Sequence, residues 1–385
     1  MLIISKVMTV ALDGESLTID KLVDVARNKH QVEVTKGAWQ RIESCRKMLE
    51  KKIEGHETMY GVTTGIGEFS EVTLTPEQIK EFQKLLVYSH AAGIGEPMEI
   101  EVVRGAMCGR INVHSKGYSG GRRKVTEYLA ESLNHGLTPV VCEKGSVGAC
   151  GDLAPMSQIA LALMGEGEMF VNGKITESKA ALKSIGLKPL ELEARDGLAI
   201  INGSNVLTAL AAIILHDAKK WMKLHDITAA MTLEALMANM KPYDKRIHVL
   251  RGFQGAQKVS ENLNLITTDS EILFSGNKKV QDAYSMRSTP QVAGALRDAI
   301  EFAIRQVETE LNGVGDNPIF LTEEKEVLTG ANFQGTPVAL PMEMIGIGLS
   351  MVAVISERRM NRLTNPALSV GLPPFLTKKP GLNSG

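Results

Sequence analysis

The sequence predicts a mainly α-helical protein in which a mixed N-terminal domain precedes a bundle of long helices. Three stretches carry an uninterrupted helical pattern of apolar residues, at 206–240, 290–311 and 336–363. All three are rich in small residues, and the first and third also contain several methionines, a composition typical of closely packed bundle cores. The preceding part instead alternates shorter periodic segments with glycine-containing loops. We therefore predict an N-terminal domain at 1–205 and a long-helix bundle at 206–385.

Short periodic segments define the elements of the N-terminal domain. An apolar run predicts a strand, and apolar residues at three- and four-residue steps predict amphipathic helices. Pro76 suits the first turn of a helix that begins at Thr75. The predicted elements, in order, are a strand at 7–12, helices at 18–29 and 36–53, a loop at 60–67, helices at 75–90 and 102–113, an interruption at 117–121, a hairpin at 169–175 around Asn172-Gly173, and a polar loop at 197–205.

Residues 145–156 form the most unusual stretch, Gly-Ser-Val-Gly-Ala-Cys-Gly-Asp-Leu-Ala-Pro-Met. Glycine is too frequent here for a helix interior, so we predict a tight loop, with Asp152 at the N-cap position of a following buried helix. In such a loop the amide nitrogen of Gly151 could attack the carbonyl carbon of Ala149. Loss of water and of the Cys150 β-substituent would leave a ring bearing an exocyclic methylidene. For the loop alone, the alternative is a helix entry with a buried thiol.

Charge and composition argue against several functional classes. A formal net charge of −1 does not favour nucleic acid or an anionic membrane as the partner. The four cysteines show no metal-ligand spacing, so we expect no metal and a reducing cytoplasm. The apolar N-terminal stretch lacks the basic start and cleavage site of a signal peptide. We also expect that no apolar run is long and charge-free enough to span a bilayer.

Several motifs, in order along nearly the whole chain, resemble those of the aromatic amino acid ammonia-lyases. The loop at Ala149-Cys150-Gly151 is similar to the Ala-Ser-Gly loop from which those enzymes form 4-methylideneimidazol-5-one (MIO), with cysteine in place of serine. The resemblance is nearest to the histidine lyases and extends to the phenylalanine and tyrosine enzymes and the aminomutases. The other matching segments are Tyr60-Gly61-Val62-Thr63-Thr64-Gly65, Ser89-His90, Ile201-Asn202-Gly203-Ser204, Gln281-Asp282-Ala283-Tyr284-Ser285-Met286-Arg287, Asp316-Asn317-Pro318, Asn332-Phe333-Gln334-Gly335 and Ser356-Glu357-Arg358-Arg359.

The resemblance implies roles for these residues and a fumarase-like helical bundle. MIO formed autocatalytically from Ala149-Cys150-Gly151 would be the only cofactor. The implied roles are Tyr60 as the base for the β-proton, Tyr284 as a polarising catalytic group, Ser89 and His90 as contacts of the substrate side chain, Asn202 and Gln281 as orienting groups, Arg287 as the carboxylate ligand, Asn317 as part of a further substrate-site motif, and Phe333 as a wall that excludes water.

The resemblance leaves substrate and activity open. The Ser89-His90 pair favours histidine as substrate and urocanate as product, whereas 332–337 looks more like the tyrosine and phenylalanine branch. A tyrosine 2,3-aminomutase would differ only in re-adding ammonia. The family usually continues beyond the Gly-Leu-Asn-Ser-Gly segment at 381–385, so we expect the C-terminal part of the bundle to be absent from this chain. That absence, with Cys150 in place of serine, leaves an inactive relative or a non-enzymatic subunit as an alternative to a homotetrameric enzyme with shared active sites.

Overall fold

A computed structural model describes residues 8–384 and confirms the mainly helical fold class. The chain forms two compact units. The first comprises the residues up to Ile214 together with Gln306–Ala339, and the second comprises Leu215–Arg305 and the residues from Leu340 onward. The first unit continues past residue 205, and the boundary at that residue stays a prediction from the sequence pattern.

The elements up to residue 201 are short strands and helices of differing length. In chain order they are β1 (Thr9–Leu12), α1 (Ile19–Ala26), β2 (Gln31–Val34), α2 (Lys36–Glu54), α3 (Pro76–His90), β3 (Ile94–Pro97), α4 (Ile100–Ser115), α5 (Arg123–Asn134), β4 (Leu137–Pro139), β5 (Cys142–Lys144), α6 (Leu153–Leu163), β6 (Glu168–Val171), β7 (Lys174–Glu177), α7 (Ser178–Ser184) and α8 (Asp196–Ile201).

Longer helices dominate the rest of the chain. They and the elements between them are α9 (Asn205–Ala235), α10 (Lys245–Arg251), α11 (Gln254–Ile266), α12 (Glu271–Phe274), α13 (Tyr284–Arg287), α14 (Thr289–Leu311), β8 (Ile319–Leu321), β9 (Glu326–Leu328) and α15 (Thr336–Thr364). All three predicted long helices are therefore present. The first ends at Ala235 instead of 240.

Threonine caps define where the early helices begin. The hydroxyl groups of Thr18 and Thr35 accept from backbone amides of the first turns of α1 and α2. Thr75 and Gln78 form a reciprocal capping box at α3, with Pro76 inside the first turn as predicted. The predicted strand at 7–12 is observed as β1, and its first residue, Val7, lies outside the described residues.

The first unit contains several small sheets, and several of their strands were too short to predict. β1 pairs with β2 in parallel, and β3 pairs with β5 antiparallel. The predicted hairpin at Asn172-Gly173 is confirmed as β6 and β7, with both turn residues at positive φ. Glycine and asparagine tolerate that conformation, which is why this turn was readable from sequence.

The prediction of a loop over 197–205 was wrong for its first half, because Asp196–Ile201 is helix α8. The backbone of Gly197 lies close to α3, and a Cβ there would stand 2.6 Å from the carbonyl oxygen of Gln83. The glycine therefore permits a close helix contact and does not interrupt the helix.

One long helix contradicts the expectation about membrane-spanning runs. An 18-residue window of Thr336–Thr364 has a mean hydropathy of 2.0, and only 28% of that window is buried. By length and composition the helix could cross a bilayer, so the expectation that no such run exists was wrong. The helix also leaves much of its apolar surface uncovered in a single chain.

Candidate active site

The Cys150 loop is a tight turn that presents its thiol outward. Gly148 and Gly151 have φ values of +73° and +78°, and the Gly151 amide points to the Gly148 carbonyl oxygen at 3.4 Å. Ala149 and Cys150, at the tip, are exposed. The alternative of a buried thiol is therefore wrong, and the middle residue of the tripeptide is accessible.

Gly151 packs directly against the segment that contains Asn202 and Gly203. A Cβ at Gly151 would lie 2.6 Å from the carbonyl oxygen of Gly203, and the amide of Asp152 donates to that oxygen at 2.9 Å. Only glycine allows this approach of two backbones. The structure thus brings together the two loops whose residues were predicted to share one site.

Asp152 stands at the N-cap position of α6, as predicted, but its side chain does not cap that helix. One carboxylate oxygen accepts from the hydroxyl of Ser146 at 2.7 Å, and the other accepts from the amide of Leu207 at 2.9 Å. Leu207 lies in the first turn of α9, so Asp152 caps a helix remote in sequence. Burial raises the pKa of this carboxyl above its usual value.

A buried charge cluster holds the Asn202 segment, and sequence reasoning missed it. The Arg110 guanidinium donates to the carbonyl oxygens of Ala199 (2.6 Å) and Asn202 (2.5 Å) and to a carboxylate oxygen of Asp316 (2.5 Å). The other oxygen of Asp316 accepts from Arg195 at 2.6 Å. The side chains of Arg110, Arg195, Asp316 and Asn202 are all buried. The geometry of the Asn202 segment therefore depends on charged groups that, apart from the Asp316-Asn317-Pro318 segment, no periodicity or motif in the sequence reveals.

Asn202 itself carries an unused acceptor. Its side-chain Oδ1 is buried and has no hydrogen-bond partner among the described residues. A buried amide oxygen without a partner is costly, by roughly 1–3 kcal/mol. Its neighbour Gly203 touches Gly151, so this acceptor lies beside the Cys150 loop.

The tyrosine loop is joined to α3 and α8 through Gln83, which lies midway along α3 and is another residue missed from the sequence. The buried Gln83 amide donates to the Gly61 carbonyl oxygen at 3.4 Å and accepts from the Leu198 amide of α8 at 3.2 Å. The half-buried Tyr60 hydroxyl accepts from the amide of Gly67 at 3.1 Å. Buried Met59, on the N-terminal side of Tyr60, belongs to a core cluster and anchors the loop.

Ser89 and His90 form the last turn of α3. The Nδ1 of His90 lies 2.8 Å from the Leu86 carbonyl oxygen and 3.1 Å from the Ser89 hydroxyl. Three residues later, the backbone of Gly93 lies against Gly145, since a Cβ on Gly145 would stand 3.0 Å from the Gly93 Cα. The pair predicted to contact a substrate side chain thus precedes a segment that touches the Cys150 loop.

Phe333 and Asn317 lie in the second segment of the first unit. The carbonyl oxygen of half-buried Phe333 accepts from the Ser204 hydroxyl at 2.6 Å, which ties it to the Asn202 segment. The Asn317 side chain accepts from the Gly330 amide at 2.8 Å. Asn317 is buried, and its observed contact holds the backbone three residues before Phe333.

Gln281, Tyr284 and Arg287 form a separate cluster in the second unit. The Arg287 guanidinium stacks 4.1 Å from the centre of the exposed Tyr284 ring. With the Gln281 amide oriented so that its oxygen faces Arg287, that oxygen lies 2.6–3.2 Å from the guanidinium nitrogens. Arg287 and Gln281 line a cavity of about 540 Å³. A cation at a cavity wall suits an anionic group of a small molecule.

Comparison with known proteins places the chain in a family of lyases. The sequence profile of the family "Aromatic amino acid lyase" matches residues 17–385, so the chain belongs to that family of carbon–nitrogen lyases. The histidine ammonia-lyases of Alkaliphilus metalliredigens and Fusobacterium nucleatum are 44% and 39% identical to it. Each alignment covers 98% of this chain and 74% of the relative.

Solved structures agree with the family assignment. Histidine ammonia-lyase from Trypanosoma cruzi is 37% identical, with a TM-score of 0.89 over 98% of this chain and 71% of that chain. Tyrosine aminomutase from Streptomyces globisporus is 34% identical, with a TM-score of 0.90 over 97% of this chain and 75% of that chain.

The residues of the loop fit the MIO group that the family implies. Gly151 leaves its amide unobstructed by a side chain, and the Gly148 and Gly151 conformations permit the tight backbone path that ring closure needs. The exposed Cys150 can release its β-substituent to solvent. The buried, unpartnered Oδ1 of Asn202 beside this loop is an acceptor of the kind that the N–H groups of an amino group would satisfy.

Proposed function

We propose that the protein catalyses the non-oxidative elimination of ammonia from L-histidine to give urocanate. The observation that carries this proposal is the Ser89-His90 pair at the end of α3, in a chain 44% identical to a histidine ammonia-lyase. A hydroxyl and an imidazole can both hydrogen-bond to a substrate imidazole, whereas an apolar pair could not. Their connection through Gly93 to the Cys150 loop supports a shared site.

The electrophile is proposed to come from the chain itself. The Gly151 nitrogen forms a bond to the Ala149 carbonyl carbon. The carbonyl oxygen then leaves as water with the amide protons of Gly151 and Cys150, and a C=N double bond forms to the Cys150 nitrogen. Loss of the Cys150 α-proton and of its sulfur as hydrogen sulfide then leaves the methylidene. When formed, this group would supply the electrophile that makes the substrate amino group a better leaving group.

The other residues bind the substrate and move its protons. Arg287 pairs with the substrate carboxylate, and Gln281 beside it limits the directions that the guanidinium can take. Tyr60 is the proposed base for the β-proton, and Tyr284 is the proposed polarising group. Asn202 supplies its free acceptor to the substrate amino group. Phe333 excludes water.

Tyrosine is the second candidate substrate. The likeness to tyrosine aminomutase at a TM-score of 0.90, together with the segment at 332–337, favours it. Incubation with L-histidine, L-tyrosine and L-phenylalanine separates the candidates, because urocanate and the two arylacrylates absorb at different wavelengths. Formation of a β-amino acid from tyrosine would indicate an aminomutase.

Intact mass and turnover, measured on one preparation, test the proposal. We expect a mass below that of the sequence by one water and one hydrogen sulfide, and release of urocanate from histidine. An unchanged mass without turnover would favour the inactive relative. A lowered mass with turnover of tyrosine alone would support the lyase chemistry but refute histidine as the substrate.

We further propose a cytoplasmic homotetramer with active sites shared among its chains. The exposed apolar side chains of α15, such as Ile347 and Val354 at 60% and 63% exposure, support assembly through this helix.

A further inference from the structure

The motif Ser356-Glu357-Arg358-Arg359 has no role in the proposed function, yet its two arginines differ sharply. Arg358 is exposed and pairs with the adjacent Glu357. Arg359 is only 4% exposed. A buried cation is tolerated only where fixed partners take its hydrogen bonds. The partners of Arg359 therefore indicate what it does.

Arg359 is one link of a buried hydrogen-bond chain in the second unit. Its guanidinium donates to the Thr289 hydroxyl at 3.1 Å and to Nε2 of His225 at 3.1 Å. Because a guanidinium can only donate, Nε2 accepts, and Nδ1 carries the proton that is donated to Asp226 at 3.2 Å. Asp226 also pairs with Arg297 at 2.5 Å, so this end of the chain is fixed.

The other end of the chain reaches the backbone beside Arg287. The Thr289 hydroxyl donates to the Met286 carbonyl oxygen at 2.7 Å, and the Tyr243 hydroxyl donates to the same oxygen at 2.6 Å. Thr289 and Tyr243 are both fully buried. That carbonyl belongs to the peptide bond joining Met286 to Arg287. Two buried hydroxyls thus fix the peptide plane from which the Arg287 side chain departs.

We infer that Arg359, acting through Thr289, is a positioning residue that aims Arg287 at the carboxylate of the substrate. The inference rests on the proposed function, in which Arg287 binds that carboxylate. Paired hydrogen bonds from a guanidinium require both N–H groups to point along the right directions. Loss of the Arg359 link leaves Arg287 and its charge in place, but the Thr289 hydroxyl loses the donor that fixes it. One of the two hydrogen bonds that orient the peptide before Arg287 is thereby weakened, and only that of Tyr243 stays fixed.

The test compares a ligand that has the carboxylate with one that lacks it. L-Histidine is the proposed substrate, and L-histidinol, which carries a hydroxymethyl group in place of the carboxylate, is tested as a competitive inhibitor. We expect Thr289→Val and Arg359→Lys each to raise the KM for histidine about tenfold. The inhibition constant of histidinol should stay within about twofold in both variants, since it makes no carboxylate pair.

Two matched variants serve as controls. Thr289→Ser keeps the hydroxyl and should restore the KM, and Arg358→Lys changes the exposed neighbour and should have no effect. If Thr289→Val weakened the binding of histidine and of histidinol equally, the role of Thr289 would be merely structural and the inference would fail. An unchanged KM for histidine in both Thr289→Val and Arg359→Lys would also overturn it.

Arg287→Lys separates failure of the inference from failure of the proposed function. If Arg287→Lys weakens the binding of histidine but not of histidinol, while Thr289→Val and Arg359→Lys have no such effect, only the positioning role of Arg359 and Thr289 is refuted. If Arg287→Lys itself weakens both ligands equally, the carboxylate role of Arg287 in the proposed function fails, and the inference fails with it.

Discussion

At the scale of single residues, the Cys150 loop has two neighbouring positions with opposite requirements: Gly151 leaves no room for a side chain, and Cys150 exposes its side chain to solvent. Gly151 touches Gly203 so closely that a Cβ has no room, whereas Cys150 is open to solvent. By contrast, burial raises the pKa of the Cys45 and Cys108 thiols to about 11 and about 12. Substitution of Cys150 therefore tests the chemistry without disturbing the core.

Replacement of Cys150 should separate ring formation from folding. Cys150→Ser keeps a leaving group, so we expect it to lose two waters on maturation and to be at least as active. Cys150→Ala has nothing to eliminate and should lack nearly all lyase activity. Because the side chain is exposed, both variants should unfold at the wild-type temperature. Intact mass, turnover and thermal unfolding are measured for all three proteins, and activity in the alanine variant would refute the MIO hypothesis.

Tyr60 is the proposed base. Tyr60→Phe removes only the hydroxyl, whose observed contact is one backbone amide of Gly67, so folding should survive. Turnover should fall by ~10²–10⁴, the usual loss when a general base is removed. Steady-state kinetics at saturating histidine measures this, with Tyr118→Phe as a control tyrosine outside the proposed site. Near wild-type turnover in Tyr60→Phe would exclude it as the base.

His114 should make stability depend on pH. Burial beside Arg110 lowers its pKa from 6.5 to about 3, so the imidazole is neutral in the folded chain. Below pH 6.5 the unfolded state takes up a proton that the folded state refuses, so stability falls as pH drops from 6.5 towards 3, by up to ~1.4 kcal/mol per pH unit.

His114→Gln tests this effect by removing the titrating group while keeping an amide donor and acceptor for Ala199 and Thr126. Urea unfolding at several pH values between 4 and 7 should show a shallower pH dependence in the variant, whatever its absolute stability. Parallel curves for the two proteins would argue against a depressed pKa.

At the scale of elements, one carboxylate links the beginnings of two helices. Asp152 stands at the start of α6 while its side chain accepts from Leu207 in the first turn of α9. The backbone amides at a helix start need acceptors, and an anionic group there also interacts favourably with the helix dipole. The Cys150 loop is thereby fixed between the two helices.

Asp152→Ala should destabilise the chain by about 1–2 kcal/mol, since it removes the acceptor for the Leu207 amide and the Ser146 hydroxyl. Asp152→Asn keeps an acceptor and loses a charge that burial disfavours, so it should cost less. The free energy of unfolding in urea measures both variants. Equal stability of the alanine variant and the wild type would show that this cap contributes nothing.

At the scale of the whole molecule, the exposed apolar surface of α15 needs cover. Its apolar window is only 28% buried. Assembly with further copies of the chain would remove that surface from water, by the same effect that forms a core. If the proposed tetramer covers α15, the oligomeric state should change when charges are placed on that helix.

Sedimentation in buffer without detergent should show a tetramer. Ile347→Glu together with Val354→Glu places charges on the exposed face of α15 and should dissociate it. Leu250→Glu changes a residue that is 87% exposed on the short helix α10, and it should leave the assembly intact. A stable, active monomer, or a protein that stays in solution only with detergent, would contradict the tetramer.

The sequence by itself determined the long helices, the hairpin at Asn172-Gly173 and the residue types of the proposed site. These features depend on local rules, namely apolar periodicity, the backbone freedom of glycine and asparagine, and helix caps such as Thr75 with Gln78. Such rules act over a few residues, so the features that they produce can be predicted from the amino-acid sequence alone.

Only the tertiary structure decided how those residues are held. Gly197 looked like a loop residue and proved to be a point of close packing, and Asp152 looked like the cap of one helix and caps another. Gln83, Arg110 and Arg359 belong to no local pattern that reveals their task, because their partners lie far away along the chain. Burial forces each polar group to find a partner, and which partner it finds depends on the packing of distant segments.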